Sequence, residues 1–254
     1  MKQISSVNNK LVKELEKINK KKYREETGLY LIEGFHLFEE ALKANRKFIY
    51  LLGTDEALNK AEEAGVSLDA KNVVLINKAI AWHLSSTKNS QEIFAVLKIA
   101  QPKDFSFNYG KWVLLDNLAD PGNVGTIIRT ADAAGFNGVV LSPESVDLYN
   151  PKTQRAMQGS QFHIDIIIKD LTDVITQLEA SDIPVYASML DKTAKKLPDF
   201  EKVAQLGLVI GNEAHGVSDF ITNLSDTKLY IPIFGQAESL NAAVAAGIMI
   251  YHFA

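Results

Sequence analysis

Leu208-Val209-Ile210-Gly211-Asn212-Glu213-Ala214-His215-Gly216 is an apolar run that stops at a glycine, crosses a short polar stretch and meets a second glycine. So short a run reads as a buried strand feeding a loop, and the glycines let that loop's backbone approach a neighbour closely. Outward from it the same unit recurs. Strands are predicted at 112–115, 139–141, 163–168, 185–187, 208–210 and 229–231, with helical periodicity between several of them. Near-continuous apolar strands interleaved with helices make a mostly parallel sheet covered on both faces. In open sheets of this kind ligands sit in loops beyond the carboxyl ends of the strands. The fold class is α/β.

The first half of the chain reads as a smaller α/β domain. Strands are predicted at 29–32, 48–52, 73–76 and 93–97, with helices over 35–44 and 55–64. Residues 101–110 hold Pro102 and Gly110 and show no sustained period, so they are expected to be a linker. The expected organisation is a domain over 1–100, a linker over 101–110 and a second domain over 111–254.

Ahead of the first domain, Leu11, Leu15 and Ile18 recur at helical spacing behind Asn8-Asn9. That segment carries Lys2, Lys10, Lys13, Lys17, Lys20, Lys21, Lys22 and Arg24 against Glu14 and Glu16. Two readings stand side by side: a solvated lysine face, or a helix whose lysines and Arg24 neutralise RNA phosphates.

The 254 residues, 46% hydrophobic and 23% charged, suffice for one large domain or two modest ones. A net charge of −4 argues against a general nucleic-acid binder, which leaves the basic start as the place for such contact. With no cysteine there is neither a disulfide nor a thiolate metal site, and the five histidines lack metal-ligand spacing, so no metal is expected. No signal-peptide core and no apolar run of bilayer length occur, so the expectation is a cytoplasmic protein without a membrane. Neither G-x-G-x-x-G nor G-x-x-x-x-G-K-[ST] follows the first strand of either domain, which removes the usual dinucleotide and nucleoside-triphosphate sites.

After the first strand of the second domain, Asp116-Asn117-Leu118-Ala119-Asp120-Pro121-Gly122 forms a loop, and Val124, Ile127, Ile128, Ala131 and Ala134 then mark a helix. Asn123, at its start, is either the cap or an amide offered to a ligand. Arg129 is either a surface arginine or, with the helix start and the amide, part of an anion cradle. Glu213 is an exposed loop carboxylate or an acceptor that orients such side chains. Ile231-Pro232-Ile233 ends a strand at a residue that cannot donate to a ladder. Ser239 is predicted to cap a final helix so apolar, from Leu240 to Ile250, that it must be buried on most sides.

Together, 117–131, Gly211 to Gly216 and Ile231 to Ala245 resemble the SpoU, or TrmH-like, branch of the SPOUT RNA 2'-O-methyltransferases. Upstream, Tyr30-Leu31-Ile32-Glu33-Gly34 and the helix after it are similar to the family's small substrate-binding domain of ribosomal-protein L30e-like fold. The resemblance implies a carboxyl-terminal trefoil knot, with the final helix passing through a loop near Gly211. It also implies S-adenosylmethionine as cofactor, held by Gly211, Ile231 and Leu240, with Ala187, Ser188 and Met189 on the other side.

A homodimer through the carboxyl-terminal domain is implied too, in which Asn123 and Arg129 serve the cofactor of the partner. Arg129 would be the central catalytic group, oriented together with the ribose by Asn123, Glu213, Ser239 and Asn241. The implied reaction is methyl transfer to a ribose 2'-hydroxyl of RNA, with ribosomal RNA favoured by the separate first domain. A transfer-RNA enzyme and a non-catalytic RNA-binding protein are the alternatives. Residues 153–160 depart from the pattern near Met157, where relatives often carry a serine.

Overall fold

The lysine-rich start folds because apolar residues recur every third or fourth position. In the computed structural model, which describes residues 1–68, 71–100, 105–191 and 194–254, β1 (Lys2–Ile4) leads into α1 (Lys10–Lys17) and α2 (Lys21–Thr27). Asn9 caps α1 by accepting from the Leu11 amide, and Val12 and Leu15 are buried. The sequence pattern missed β1, since Ile4 is its one apolar residue, yet it pairs in parallel with the strand Val73–Ile76.

The first sheet continues through β2 (Leu29–Glu33), β3 (Tyr50–Gly53), β4 (Val73–Ile76) and β5 (Ile93–Lys98), with α3 (Phe35–Lys43), α4 (Asp55–Glu63) and α5 (Lys78–Leu84) between them. Its order is β1-β4-β3-β5-β2, with β5 antiparallel to both neighbours. Alternation along the strands divides the core by face. Leu31, Leu52, Val74 and Phe94 meet Val12, Leu15 and Ile18 of the amino-terminal segment and Ile80, Ala81 and Leu84 of α5. Tyr30, Ile32, Leu51 and Ile93 meet Phe38 and Ala41 of α3 and Leu58 and Ala61 of α4.

The second sheet is built from β6 (Lys111–Asp116), β7 (Gly138–Leu141), β8 (Asp165–Ile168), β9 (Val185–Ser188), β10 (Lys195–Lys196), β11 (Leu206–Gly211) and β12 (Thr227–Tyr230). α6 (Pro121–Ala133) follows β6, α7 (Pro151–Met157) lies between β7 and β8, and α8 (Leu171–Glu179), α9 (Asp219–Leu224) and α10 (Ala242–Phe253) complete the chain. The order is β10-β12-β9-β11-β6-β7-β8, and its ladders are parallel. Every residue of β7 and β11 is buried, as strands covered on both faces must be.

The chain divides into two compact units, Met1–Gln101 with Tyr149–Phe162, and Pro102–Leu148 with His163–Ala254. The stretch Tyr149–Phe162, which carries α7 and falls in the expected second domain, thus packs with the first unit; the Tyr149 ring lies 4.6 Å from that of Tyr30. Of the expected linker, 101–104 lie outside the described residues. The rest packs into the second unit, with the Phe107 ring 4.9 Å from Trp112 and fully buried.

Two further expectations change. Ile231 lies just past β12 rather than inside it. The final helix is not buried on most sides within one chain: Ala243, Ala246, Met249, Ile250 and Phe253 face inward, while Val244, Ile248 and Tyr251 remain 52%, 43% and 57% exposed.

Candidate active site

Asp120, not Asn123, caps α6. Its carboxylate accepts the Asn123 amide at 2.8 Å, and Pro121 occupies the first turn, where no amide hydrogen is needed. The cap frees the Asn123 side chain for other work. Asn123 Nδ2 donates to Glu213 Oε1 at 2.9 Å, and Asn123 Oδ1 accepts from Asn241 Nδ2 at 3.0 Å. Asn241 Oδ1 in turn accepts the Ala243 and Val244 amides, so Asn241 caps α10 in place of Ser239, which stays exposed ahead of it.

The direction of this chain of bonds is dictated chemically. An ionised carboxylate only accepts and a helix start only donates, so each amide between them has one orientation that satisfies both ends.

Glu213 fastens the loop after β6 to the turn after β11. Its two carboxylate oxygens accept the Ala119 and Asp120 amides, both at 3.2 Å, besides Asn123. Burial alone would raise its pKa, but the hydrogen bonds from the Asn123 side chain and from backbone amides outweigh it and hold the carboxyl below its ordinary value.

The turn itself is closed by reciprocal backbone bonds between Asn212 and Gly216 at 2.9 and 2.8 Å. Gly211 is required by that closure: a Cβ there would lie 2.0 Å from the Val217 nitrogen and 2.1 Å from the Gly216 carbonyl carbon. A glycine expected to approach a ligand therefore first lets its own loop fold back.

The proposed cofactor residues gather at the carboxyl ends of neighbouring parallel strands. Ala187 and Ser188 end β9, and the Met189 amide donates to the Leu229 carbonyl of β12 at 2.8 Å. Ala187 is in register with Val209 of β11, Gly211 ends that strand, and Ile231 follows β12. Beyond Ile233 the chain is exposed through Asn241, Leu240 included. None of these side chains is charged, so these strand ends bring no fixed side-chain charge to a ligand.

Arg129 stands apart. It is exposed on α6 and makes no hydrogen bond or ion pair with a described residue. Six residues beyond Asn123, it is separated from it by about 120° around the helix and about 9 Å along it, so one chain does not bring its guanidinium into the Glu213–Asn123–Asn241 network.

Residues 111–251 match the SpoU rRNA methylase family, and 9–95 match the MRM3-like substrate-binding domain. The chain belongs to the SpoU family. A 23S rRNA (guanosine(2553)-2'-O)-methyltransferase of Bacillus subtilis is 39% identical, with 99% of each chain covered. An AdoMet-bound rRNA methyltransferase from Sinorhizobium meliloti superposes with a TM-score of 0.88 at 30% identity, covering 99% of this chain and 96% of the other. A TrmH-family RNA methyltransferase from Porphyromonas gingivalis gives 0.83 at 30% identity, covering 95% and 96%.

Several residues that build this SpoU site escaped the sequence reading. Asn212 Nδ2 donates to the Asn117 carbonyl at 2.7 Å, while its Oδ1 accepts the Ala214 and His215 amides. Asp116, 4% exposed, accepts from Asn117 Nδ2 and from the Ser218 amide. A polar residue closing an apolar strand is the signal that could have found each. The basic segment holds a contrary surprise: Arg24 is 4% exposed, and its guanidinium donates to the Ile18 carbonyl at 2.7 Å. Expected among the phosphate contacts, Arg24 instead closes the end of α1.

Proposed function

We propose that this chain transfers the methyl group of S-adenosylmethionine to a ribose 2'-hydroxyl of large-subunit ribosomal RNA. The carrying observation is the Glu213–Asn123–Asn241 network at the carboxyl ends of β6 and β11, in a chain 39% identical along its whole length to a 23S rRNA ribose methyltransferase. In this reading Ala187, Ser188, Met189, Gly211, Ile231 and Leu240, at and beyond the strand ends, give the adenosyl group backbone and apolar contacts. When bound, the sulfonium supplies an already activated methyl group. The residues are left with alignment and with the hydroxyl proton, and alignment alone can supply roughly 7–11 kcal/mol.

In this reading the network fixes the starts of α6 and α10 and presents the Asn123 and Asn241 amides to the ribose, with Ser239 in the exposed stretch beside them. Arg129 stabilises the developing alkoxide by charge, because a guanidinium whose pKa exceeds about 12 is a poor base. Its position around α6 supports action on the site of a second copy, so the proposal includes a homodimer through the carboxyl-terminal domain. The family's knot, a division between two domains within 101–110 and a place in the cytoplasm with the ribosomal substrate belong to the same reading.

The test is transfer of tritium from labelled S-adenosylmethionine to protein-free 23S rRNA of a strain lacking the gene, with transfer RNA in a parallel reaction. Label in 23S rRNA is expected. Arg129→Ala should lower kcat by about 10²- to 10³-fold while calorimetry finds cofactor affinity near wild type. Label in transfer RNA alone, or in neither RNA, overturns the substrate assignment.

A further inference from the structure

The two tryptophans of the chain have opposite surroundings: Trp112 is wholly enclosed, whereas Trp82 is 68% exposed. α5 turns Ile80, Ala81 and Leu84 into the core that also receives Val12, Leu15 and Ile18, so α5 and α1 run side by side. On the surface they are joined by His83 Nε2 and Glu16 Oε2 at 3.1 Å. The 3.6-residue repeat sets Trp82 on the face of α5 opposite its buried side, one turn after the exposed Lys78. The same repeat sets the exposed Lys13 and Lys17 on the flank of α1 beyond Glu16.

The neighbours of the indole along the chain are Lys78, Ala79, His83, Ser85 and Ser86, so no apolar patch surrounds it as a protein-docking surface would require. A lone exposed aromatic ring with Lys78 one turn before it, and with Lys13 on the neighbouring helix beyond the Glu16–His83 pair, is instead the composition of a single-stranded nucleic-acid platform: the ring stacks on a base, and the ammonium groups meet the phosphates on either side.

We propose that Trp82, with Lys78 on its own helix and Lys13 on the neighbouring one, is a stacking platform for an unpaired nucleotide of the RNA substrate. This rests on the reading that the substrate is RNA. It adds to that reading a nucleotide contact on the first unit, whereas the Glu213–Asn123–Asn241 network belongs to the second.

Because Trp112 is enclosed, the solvent-sensitive emission of the full-length protein comes from Trp82. Titration with an oligoadenylate of about ten nucleotides should quench that emission saturably, and filter binding gives Kd on the same samples. Trp82→Ala should weaken binding about 5- to 150-fold. Trp82→Phe, which keeps a π-face, should recover most of the loss, a rescue that a merely structural role for the indole would not produce. Circular dichroism melts establish that both variants are folded.

An unquenched indole at saturating RNA, or a folded Trp82→Ala variant that binds as wild type does, overturns the platform. A protein partner at this surface would give the second result. Neither outcome touches the proposed reaction, which is read separately by tritium transfer to 23S rRNA.

Discussion

A carboxylate that three donors hold in place is worth most where it stays ionised, and Glu213 is such a group. It accepts the Ala119 and Asp120 amides and Asn123 Nδ2, so it anchors the loop after β6 and orients the amide that meets Asn241. Glu213→Gln keeps the shape but replaces one acceptor oxygen with a donor, leaving an amide facing an amide. The expected cost is about 1 kcal/mol of stability, measured by urea unfolding, since the site is open to water. The pH dependence follows from the depressed pKa. The folded state prefers the ionised form, so the contribution is complete above the ordinary carboxylate value of about 4.3 and is lost as pH falls through the lower folded value. Wild type and variant should therefore differ by a constant amount near neutrality and converge in acid below about pH 4. A gap that widens in acid would mean that the hydrogen bonds do not carry the effect. Glu213 stood out in the sequence as an acceptor that orients Asn or Arg side chains; Asn123 is one that it meets, whereas the Ala119 and Asp120 amides were not foreseen. Which nitrogen it meets depends on Asp120 having taken the cap of α6, and Asn and Asp are near-equal caps on local grounds.

At the scale of the element, periodicity was legible and ends were not. The stripe Val124, Ile127, Ile128 and Ala131 placed α6, and Leu11, Leu15 and Ile18 placed α1, because burial of a helical face leaves a repeat in the sequence. β1 and β10 are invisible for the opposite reason, being three and two residues long with little apolar content. The amino-terminal segment shows why the distinction matters for experiment. Deleting 1–24 to probe phosphate contact would remove β1 from the first sheet and Val12, Leu15 and Ile18 from its core, so the fold would go with the charge. Substitution is the cleaner probe. Lys10, Lys21 and Lys22 each lie 3.9 Å from a glutamate one turn on, whereas Lys13, Lys17 and Lys20 face solvent without an ion pair to a described residue. Replacing Lys13, Lys17 and Lys20 with Gln should reduce the slope of log K against log salt by about 2, at about 0.7 per phosphate on single strands. An unaltered slope returns these lysines to the role of a solvated face. Arg24 is left in place, because its buried guanidinium holds the end of α1.

For the whole molecule, the α/β class and the parallel second sheet were legible because buried parallel strands are written as uninterrupted apolar runs, Leu206–Gly211 being the plainest. The return of Tyr149–Phe162 to the first unit was not, since nothing local in Pro151–Met157 says which sheet it will cover. The final helix carried a mixed message: its all-round apolarity asks for burial on most sides, and the single chain grants it on one. Val244, Ile248 and Tyr251 repeat at helical spacing on the outer face, and Leu240 lies just ahead of them. At about 25 cal/mol per Å² of apolar surface, leaving such a face in water costs several kcal/mol. A second copy meeting it about a two-fold axis would recover that energy with the same residues from both sides. The proposed service of Arg129 to the site of a second copy requires such a dimer. Ile248→Glu puts a charge at the middle of the stripe and disturbs no inward contact, since Ala246, Met249 and Ile250 face the other way. Light scattering should show wild type at twice the mass of the variant, with unfolding of the variant still cooperative. If the homodimer completes the site, the monomeric variant should lose methyl transfer to 23S rRNA as fully as Arg129→Ala does. Mixing Ile248→Glu with Arg129→Ala should not restore it, whereas a wild-type chain mixed with Arg129→Ala should retain part of its activity. A folded monomer with full turnover would place Arg129 in the service of its own chain.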